Sequence, residues 1–237
     1  MEHEPNETYV VREKIFETPT VCTLKLAHSD GSIPAFVPGQ FITVYFPELG
    51  TPQGKAYSIS SAPSEKTIAI TVKQIGAFSH RLSSMNSGDT LSASLPYGYF
   101  YSESAASTLV MLAAGIGIAP FRGMIMDALA NNPTRKLVLC CSNRTEMDIT
   151  FRNALKECSE RFPNCSVNHF ITREETAPEG TTKGRMSAPA VLQIVGSAPD
   201  PEFLLCGSIS FVRDMWRDLC AASVPEEKIY TEAFFSH

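Results

Sequence analysis

The stretch 109–121, LVMLAAGIGIAPF, limits the fold of this chain more than any other. It opens as an unbroken apolar run, and a strand of that kind must be covered on both faces. It then turns through Gly115-Ile116-Gly117 and enters Ile118-Ala119-Pro120-Phe121. Pro120 suits the first turn of a helix, where its missing N–H costs nothing. Glycines at a strand-to-helix turn let the backbone come close to a ligand, and the N–H groups at a helix start suit a phosphate. Two readings follow: a dinucleotide pyrophosphate site, or a buried strand with an ordinary glycine turn. A G-x-G without its third glycine does not decide between them.

The surrounding pattern narrows the choice. From Ser107 onward, strands alternate with helices: LVMLAAG with a helix over 120–131, KLVLCCS with one over 149–161, SVNHFIT with the loop REETAPEGTTKGR and a helix over 188–195, EFLLCG with a helix over 209–222, and finally KIYTEAF. Alternation of this sort predicts a doubly wound parallel sheet. Ligands of such sheets sit outside the carboxyl ends of the strands. Four of these ends carry glycines, hydroxyls or cations: Gly115-Ile116-Gly117, Ser142-Asn143-Arg144, Thr172-Arg173 and Cys206-Gly207-Ser208. That recurrence favours a nucleotide site.

Before residue 102 the pattern differs. TYVVREKIF, VCTLKLA, QFITVYF, TIAITVKQI and TLSASL are short β-branched or alternating runs, separated by HSDGS, VPGQ, PELGTPQG and NSGD. Their spacing predicts a small antiparallel barrel or sandwich. Gly76-Ala77-Phe78-Ser79 interrupts it as a short helix start. The polar, small segment 102–107 marks the domain boundary, giving domains over 1–104 and 105–237.

Composition excludes several functions. The chain has 237 residues, 43% hydrophobic and 19% charged, which is the make-up of a globular protein. A formal net charge of −5 implies no nucleic-acid partner. No apolar run reaches the roughly 20 residues of a membrane helix, so no membrane insertion is expected. The opening MEHEPNETYVVREK lacks the features of a signal peptide, and seven scattered cysteines suit reduced thiols, so a cytoplasmic location is expected. There is no C-x2-C pair, hence no zinc site, and no C-x4-C-x2-C run, hence no plant-type iron–sulfur cluster; no metal is expected.

Within the barrel, Lys55-Ala56-Tyr57-Ser58-Ile59-Ser60-Ser61 sits at the start of a strand. Lys55, Tyr57 and Ile59 share one face, and Ser58 and Ser60 the other. A planar ligand fits against Tyr57 with its edge at Ser58. A cross-strand Tyr flanked by solvated Ser and Lys explains the same residues.

Taken together, K-A-Y-S, G-A-F-S, P-Y-G-Y-F, A-A-G-I-G-I-A-P-F and L-L-C-G-S follow the order and spacing of the ferredoxin–NADP reductase family, and they cover nearly the whole chain. Thr172-Arg173-Glu174-Glu175 with Gly184-Arg185 most resembles the bacterial members. The resemblance implies an N-terminal antiparallel flavin-binding β-barrel and a C-terminal doubly wound nicotinamide-binding domain. Tyr57 would pack on the isoalloxazine and Ser58 approach flavin N5. Lys55 replaces the usual Arg at the pyrophosphate, a point charge where the family has a bidentate fork. Ile59, Ser60, Val72, Lys73, Gly76, Ala77, Phe78 and Ser79 would complete the FAD site, Ser79 also serving as a helix N-cap. Gly115, Ile116, Gly117 and Pro120 would hold the nicotinamide nucleotide with Asn143, Arg144, Gly207 and Ser208.

The resemblance also sets Cys206 near the nicotinamide, although a small core residue at a strand end is an equal reading of that cysteine. Glu232 and Phe234, in the closing E-x-F, would line the flavin. Thr172, Arg173 and Arg185 would meet the 2′-phosphate of NADP, with NAD as the alternative. The implied activity is hydride transfer from NADPH to FAD, then electron transfer to a separate protein such as ferredoxin or flavodoxin. Tyr57, Ser58, Cys206 and Glu232 are the catalytic candidates. A free-flavin reductase and an NADH-using reductase subunit of an oxygenase remain as alternatives.

Overall fold

The computed structural model describes residues 7–102 and 107–234. Its strands fall into two sheets, each built from one half of the sequence. The first half supplies β1 (Glu7–Thr18), β2 (Val21–His28), β3 (Phe41–Phe46), β4 (Thr51–Ser58), β5 (Ile68–Lys73) and β6 (Thr90–Ala93), with helix α1 (Ala77–Ser83) between β5 and β6. They pair antiparallel in the order β4-β3-β6-β1-β2-β5.

The two ends of that order meet. Ile59, just past β4, bridges Ile70 of β5, and the Ser60 N–H donates to the Ala69 carbonyl at 2.8 Å. This isolated bridge ties the ends of the two edge strands together. Alternate residues Tyr9, Val11, Leu24, Leu26, Ile42, Val44, Ile68, Ile70 and Val72 fill the interior. On the other face of β2 and β5 a chain of hydroxyls runs between strands: Ser60 Oγ, Thr71 Oγ1 and Thr23 Oγ1 are spaced at 2.8 and 2.9 Å, and Thr23 donates to Glu17 at 2.8 Å.

One expected turn is a strand. PELGTPQG reads as a loop, but only Pro47–Leu49 forms a 3-10 turn, closed by Gly50 at φ 67°. β4 then begins at Thr51, so Lys55 lies mid-strand rather than at its start. Gly54 makes this possible. It takes φ 68°, and a Cβ there would lie 2.5 Å from the Val44 carbonyl oxygen on the neighbouring strand.

The second half alternates as expected. β7 (Thr108–Ala114), α2 (Ala119–Asn131), β8 (Lys136–Asn143), α3 (Arg152–Arg161), β9 (Cys165–Ile171), β10 (Thr181–Lys183), α4 (Ala188–Val195), β11 (Pro201–Ser208), α5 (Ile209–Ala221) and β12 (Ile229–Phe234) follow in turn. All pairs in this sheet are parallel, in the order β10-β9-β8-β7-β11-β12. Six of the seven β7 residues are buried, as a strand covered on both faces requires. On one face Val191 and Val195 of α4 and Val212, Met215 and Leu219 of α5 pack with Val110, Val138, Phe203 and Leu205. β10 was expected as loop; its Thr181-Thr182-Lys183 pairs with His169, Phe170 and Ile171.

The chain divides into two compact units. One comprises Met1–Tyr99 with Ala119–Asp127, the other Phe100–Ile118 with Ala128–Ser236. The boundary expected at 104/105 lies outside the described residues. The structure adds that the first two turns of α2 group with the N-terminal unit, which sequence alternation alone does not show. Among the described residues no helix is long and apolar enough to cross a membrane.

Candidate functional site: two cofactor half-sites

In the N-terminal unit the site grows from the end of β4. Lys55 and Tyr57 share a strand face, and both reach Phe78 of α1. The Lys55 Nζ lies 5.7 Å from the Phe78 ring centre, and the Tyr57 ring stacks on Phe78 at 6.3 Å and 21°. Phe78 is held from below by Phe46 at 4.9 Å, over which Arg81 lies at 5.1 Å. Burial pushes the Tyr57 hydroxyl well above the ordinary phenol range, so it stays protonated. A half-buried aromatic with a cation beside it suits a planar, anionic ligand.

The second flavin motif forms the N-terminus of α1. Gly76 is the N-cap, with extended backbone. Ser79 is therefore not the cap residue expected. It sits one turn in, and its Oγ accepts from the N–H groups of Ile75 (2.9 Å) and Gly76 (3.1 Å) while donating to the Gly76 carbonyl. At Gly76 a Cβ would meet nothing within 4 Å, so bare backbone faces open space at this helix start.

Some candidates belong to the interior instead. Ile59, Val72 and Phe78 have their side chains in the barrel core. Ile59, just past the end of β4, bridges Ile70 of β5 and lies in the same core cluster that Tyr57 packs against. The Ser60 hydroxyl is engaged by Thr71 and the Ala69 carbonyl. Ser58 is buried at the strand end, Lys73 is half-buried at the end of β5, and Ala77 is exposed at the head of α1.

In the C-terminal unit the strand order supplies the site. From β7 the chain runs outward through β8, β9 and β10, then returns to place β11 on the other side of β7. The switch point thus lies between β7 and β11, where doubly wound sheets bind nucleotides at the carboxyl ends. Both ends are glycine-bearing, and they interlock. A Cβ on Gly117 would lie 2.1 Å from the Cys206 carbonyl oxygen, and one on Gly207 2.9 Å from the Ala114 Cβ. Gly115 takes φ 54° with open space where its Cβ would be. Residues Gly115–Ile118 form a 3-10 turn that leads directly into α2, with Pro120 in the helix's first turn. This bare, glycine-lined backbone at a helix start fits a dinucleotide pyrophosphate.

Cys206 is fully buried. Burial first, and the charge of Glu232 beside it in the β11–β12 register, push its thiol well above the ordinary value. Its main-chain carbonyl is what Gly117 packs against. Ser208 caps α5, accepting from the Phe211 N–H at 3.3 Å, and pairs with Phe234 across β11 and β12.

The ends of β8, β9 and β10 stand side by side. The Thr172 N–H donates to the Asn143 carbonyl at 3.0 Å, the Arg173 N–H to the Arg144 carbonyl at 2.8 Å, and the Gly184 N–H to the Ile171 carbonyl at 2.8 Å. Exposed Arg144, Arg173 and Arg185 therefore occupy three neighbouring strand ends. Glu174 is directed elsewhere, accepting from the Glu146 N–H at 2.6 Å. The Thr172 hydroxyl donates to the Asn143 carbonyl at 3.2 Å.

Sequence reasoning missed one pair. Arg122 of α2 bonds Glu65, and nothing in the spacing of residues 57 apart marks them as partners.

An aromatic-and-cation shelf on the barrel and a switch-point crevice on the parallel sheet are two candidate cofactor sites. The chain belongs to the ferredoxin reductase-like family: residues 9–101 match its oxidoreductase FAD-binding domain and residues 111–217 its oxidoreductase NAD-binding domain. It is thus a flavoprotein oxidoreductase with FAD- and NAD-binding domains. It is 29% identical over 245 residues to a flavohemoprotein of Rhizobium meliloti, covering 95% of this chain and 60% of that protein. It is 28% identical to the ferredoxin reductase component of a 3-ketosteroid-9-alpha-monooxygenase from Mycobacterium tuberculosis, covering 95% of this chain and 64% of that one. The chain thus spans less than two thirds of these relatives.

Among solved structures, the FAD/NAD-binding domain of the Vibrio cholerae nitric oxide dioxygenase superimposes with a TM-score of 0.84 at 24% identity, covering 96% and 98% of the two chains. A ferredoxin NADP+ reductase from Neisseria gonorrhoeae, solved with FAD and NADP, gives 0.78 at 21%, covering 97% and 99%. At those identities the likeness concerns the fold.

Proposed function

We propose that the protein takes a hydride from NADPH onto FAD and delivers electrons to a separate redox protein, a ferredoxin or flavodoxin being the simplest acceptor. When bound, FAD would supply the hydride and electron chemistry. The chain's residues hold and aim it. Tyr57 offers its face to the isoalloxazine, and Ser58 at the β4 end donates toward N5. Lys55 and the bare backbone at Gly76 meet the pyrophosphate of FAD. Gly115, Ile116, Gly117 and Pro120 hold the pyrophosphate of the nicotinamide nucleotide.

The observation that carries the NADPH choice is the alignment of Arg144, Arg173 and Arg185 on three adjacent strand ends, with Glu174 turned to the Glu146 amide. A 2′-phosphate wants such a concentration of cations. The family relation to an oxygenase reductase component supports a second acceptor class, an oxygenase or its ferredoxin. The free thiols of all seven cysteines suit a reducing compartment such as the cytoplasm.

The test is an anaerobic titration of the FAD-loaded protein. NADPH should bleach the flavin band at concentrations at least tenfold below those NADH requires. Equal bleaching by both would remove the assignment to NADPH. A protein that takes up no FAD would remove the whole reading.

A further inference from the structure

Two consecutive residues of α2 touch the two carbonyls that follow the flavin motif. The Arg122 Nη1 donates to the Ser60 carbonyl at 2.9 Å. At Gly123 a Cβ would lie 2.5 Å from the Ser61 carbonyl oxygen, so the helix backbone itself rests on that peptide. The Arg122 guanidinium then grips Glu65 with both nitrogens, at 2.8 and 2.9 Å. Glu65 is fixed in turn, because the same Oε2 accepts from the Ala62 N–H at 2.7 Å. Ser60, Ser61 and Ala62 are all fully buried, and the side chains of Arg122 and Glu65 are only 20% and 26% exposed. Every group in the cluster therefore has one geometry.

A mostly buried ion pair is weak evidence for stability, since desolvating two charges offsets much of their attraction. What a planar fork between a carboxylate and a main-chain carbonyl does provide is direction. The two things it connects are the segment two residues beyond Ser58 and the first turn of the helix that carries Pro120. Both belong to the same compact unit.

We propose that Arg122, acting through Glu65 and the Ser60 carbonyl, is a positioning residue for the hydride-transfer step. It sets the first turn of α2, with Pro120, against the strand end that presents Tyr57 and Ser58. On this reading Arg122 acts through Glu65 and the Ser60 carbonyl. This inference rests on the reading that Tyr57 and Ser58 hold FAD and that the turn into α2 holds the nicotinamide nucleotide.

The experiment compares the FAD-loaded wild type with Arg122→Ala, Glu65→Gln and the swapped Arg122→Glu/Glu65→Arg. Three quantities are read: the dissociation constant of FAD, the amplitude of the flavin visible difference spectrum at saturating NADP+, and the rate of flavin bleaching at saturating NADPH. Both single variants should keep FAD affinity within about threefold, lose most of the difference-spectrum amplitude, and bleach at least tenfold more slowly with KM little changed. The swap should recover little of the amplitude, because a carboxylate at position 122 cannot donate to the Ser60 carbonyl and a guanidinium at position 65 cannot accept from the Ala62 N–H.

An unchanged amplitude and rate would overturn the proposal. So would FAD affinity falling in step with the rate, which is what a purely structural pair would show. Glu65→Gln is close to isosteric, and its amide oxygen can still accept from the Ala62 N–H, but its NH2 cannot accept from Arg122, so it breaks the fork with little change in packing and carries the test if Arg122→Ala does not fold. If wild type neither binds FAD nor responds to either nucleotide, the functional reading fails irrespective of Arg122.

Discussion

Arg144, Arg173 and Arg185 are separated in sequence but occupy adjacent strand ends, and Arg173 is placed between the other two by its own N–H bond to the Arg144 carbonyl. Charge-assisted contacts to a phosphate contribute about 1.5–3 kcal/mol each. Arg173→Ala should therefore raise the NADPH concentration for half-maximal reduction by roughly tenfold or more, while leaving that for NADH within about twofold. Steady-state titration with the two nucleotides checks this, and equal effects would refute a 2′-phosphate role. At the same scale Cys206 shows what residue identity alone leaves open. A cysteine at a strand end reads equally as a nicotinamide neighbour or as core, and its complete burial favours the second.

The elements that bear the Gly115–Ile118 turn meet through main-chain contacts. β7 and β11 approach so closely at their carboxyl ends that Gly117 has no room for a methyl group against the Cys206 carbonyl. Gly117→Ala should lower stability by about 1–3 kcal/mol, the usual range for overpacking, measured by denaturant unfolding. Gly115→Ala places its methyl in open space, at a backbone cost of about 1–2 kcal/mol for the left-handed φ. It should weaken NADP+ binding instead, because the methyl stands where the backbone is bare. A Gly117→Ala protein as stable as wild type would contradict this account of the switch point. The glycines themselves were legible in the sequence, and so were β7 and the helix after it. Their two distinct jobs were not, since one depends on a strand 89 residues later (Cys206) and the other on empty space.

For the molecule as a whole, acid stability should carry two identifiable steps. Burial would raise the Glu65 carboxyl, but the Arg122 hydrogen bonds and the Ala62 N–H outweigh it and hold it below the ordinary range. The unfolded chain then binds the proton more readily, so this contribution is present above about pH 4.3 and is lost as pH falls through the folded value. Burial, with Arg152 adding to it, lowers His169, so the unfolded chain also takes up its proton first as pH falls below about 6.5. Both effects have one sign, and stability should decline on the acid side in two stages. Urea midpoints measured from pH 7 to 3 test this. Glu65→Gln should flatten the lower stage and leave the upper one.

What the sequence by itself determined is local. The all-apolar β7, the alternation of strands and helices after residue 107, the short β-branched runs before 102 and the glycine turns each follow from periodicity and backbone chemistry within a few residues. The order of the family's motifs along the chain carried the identity of the two cofactor domains. Only the tertiary structure decided where those pieces meet. Ile59 bridges Ile70 to tie the barrel's edge strands, the TPQG half of PELGTPQG becomes strand because Gly54 lets it pass Val44, and β11 returns beside β7 to make the crevice. Arg122 finds Glu65 for the same reason. These are contacts between residues far apart in sequence, set by packing of the whole chain, and no local pattern encodes which distant partner a side chain will meet.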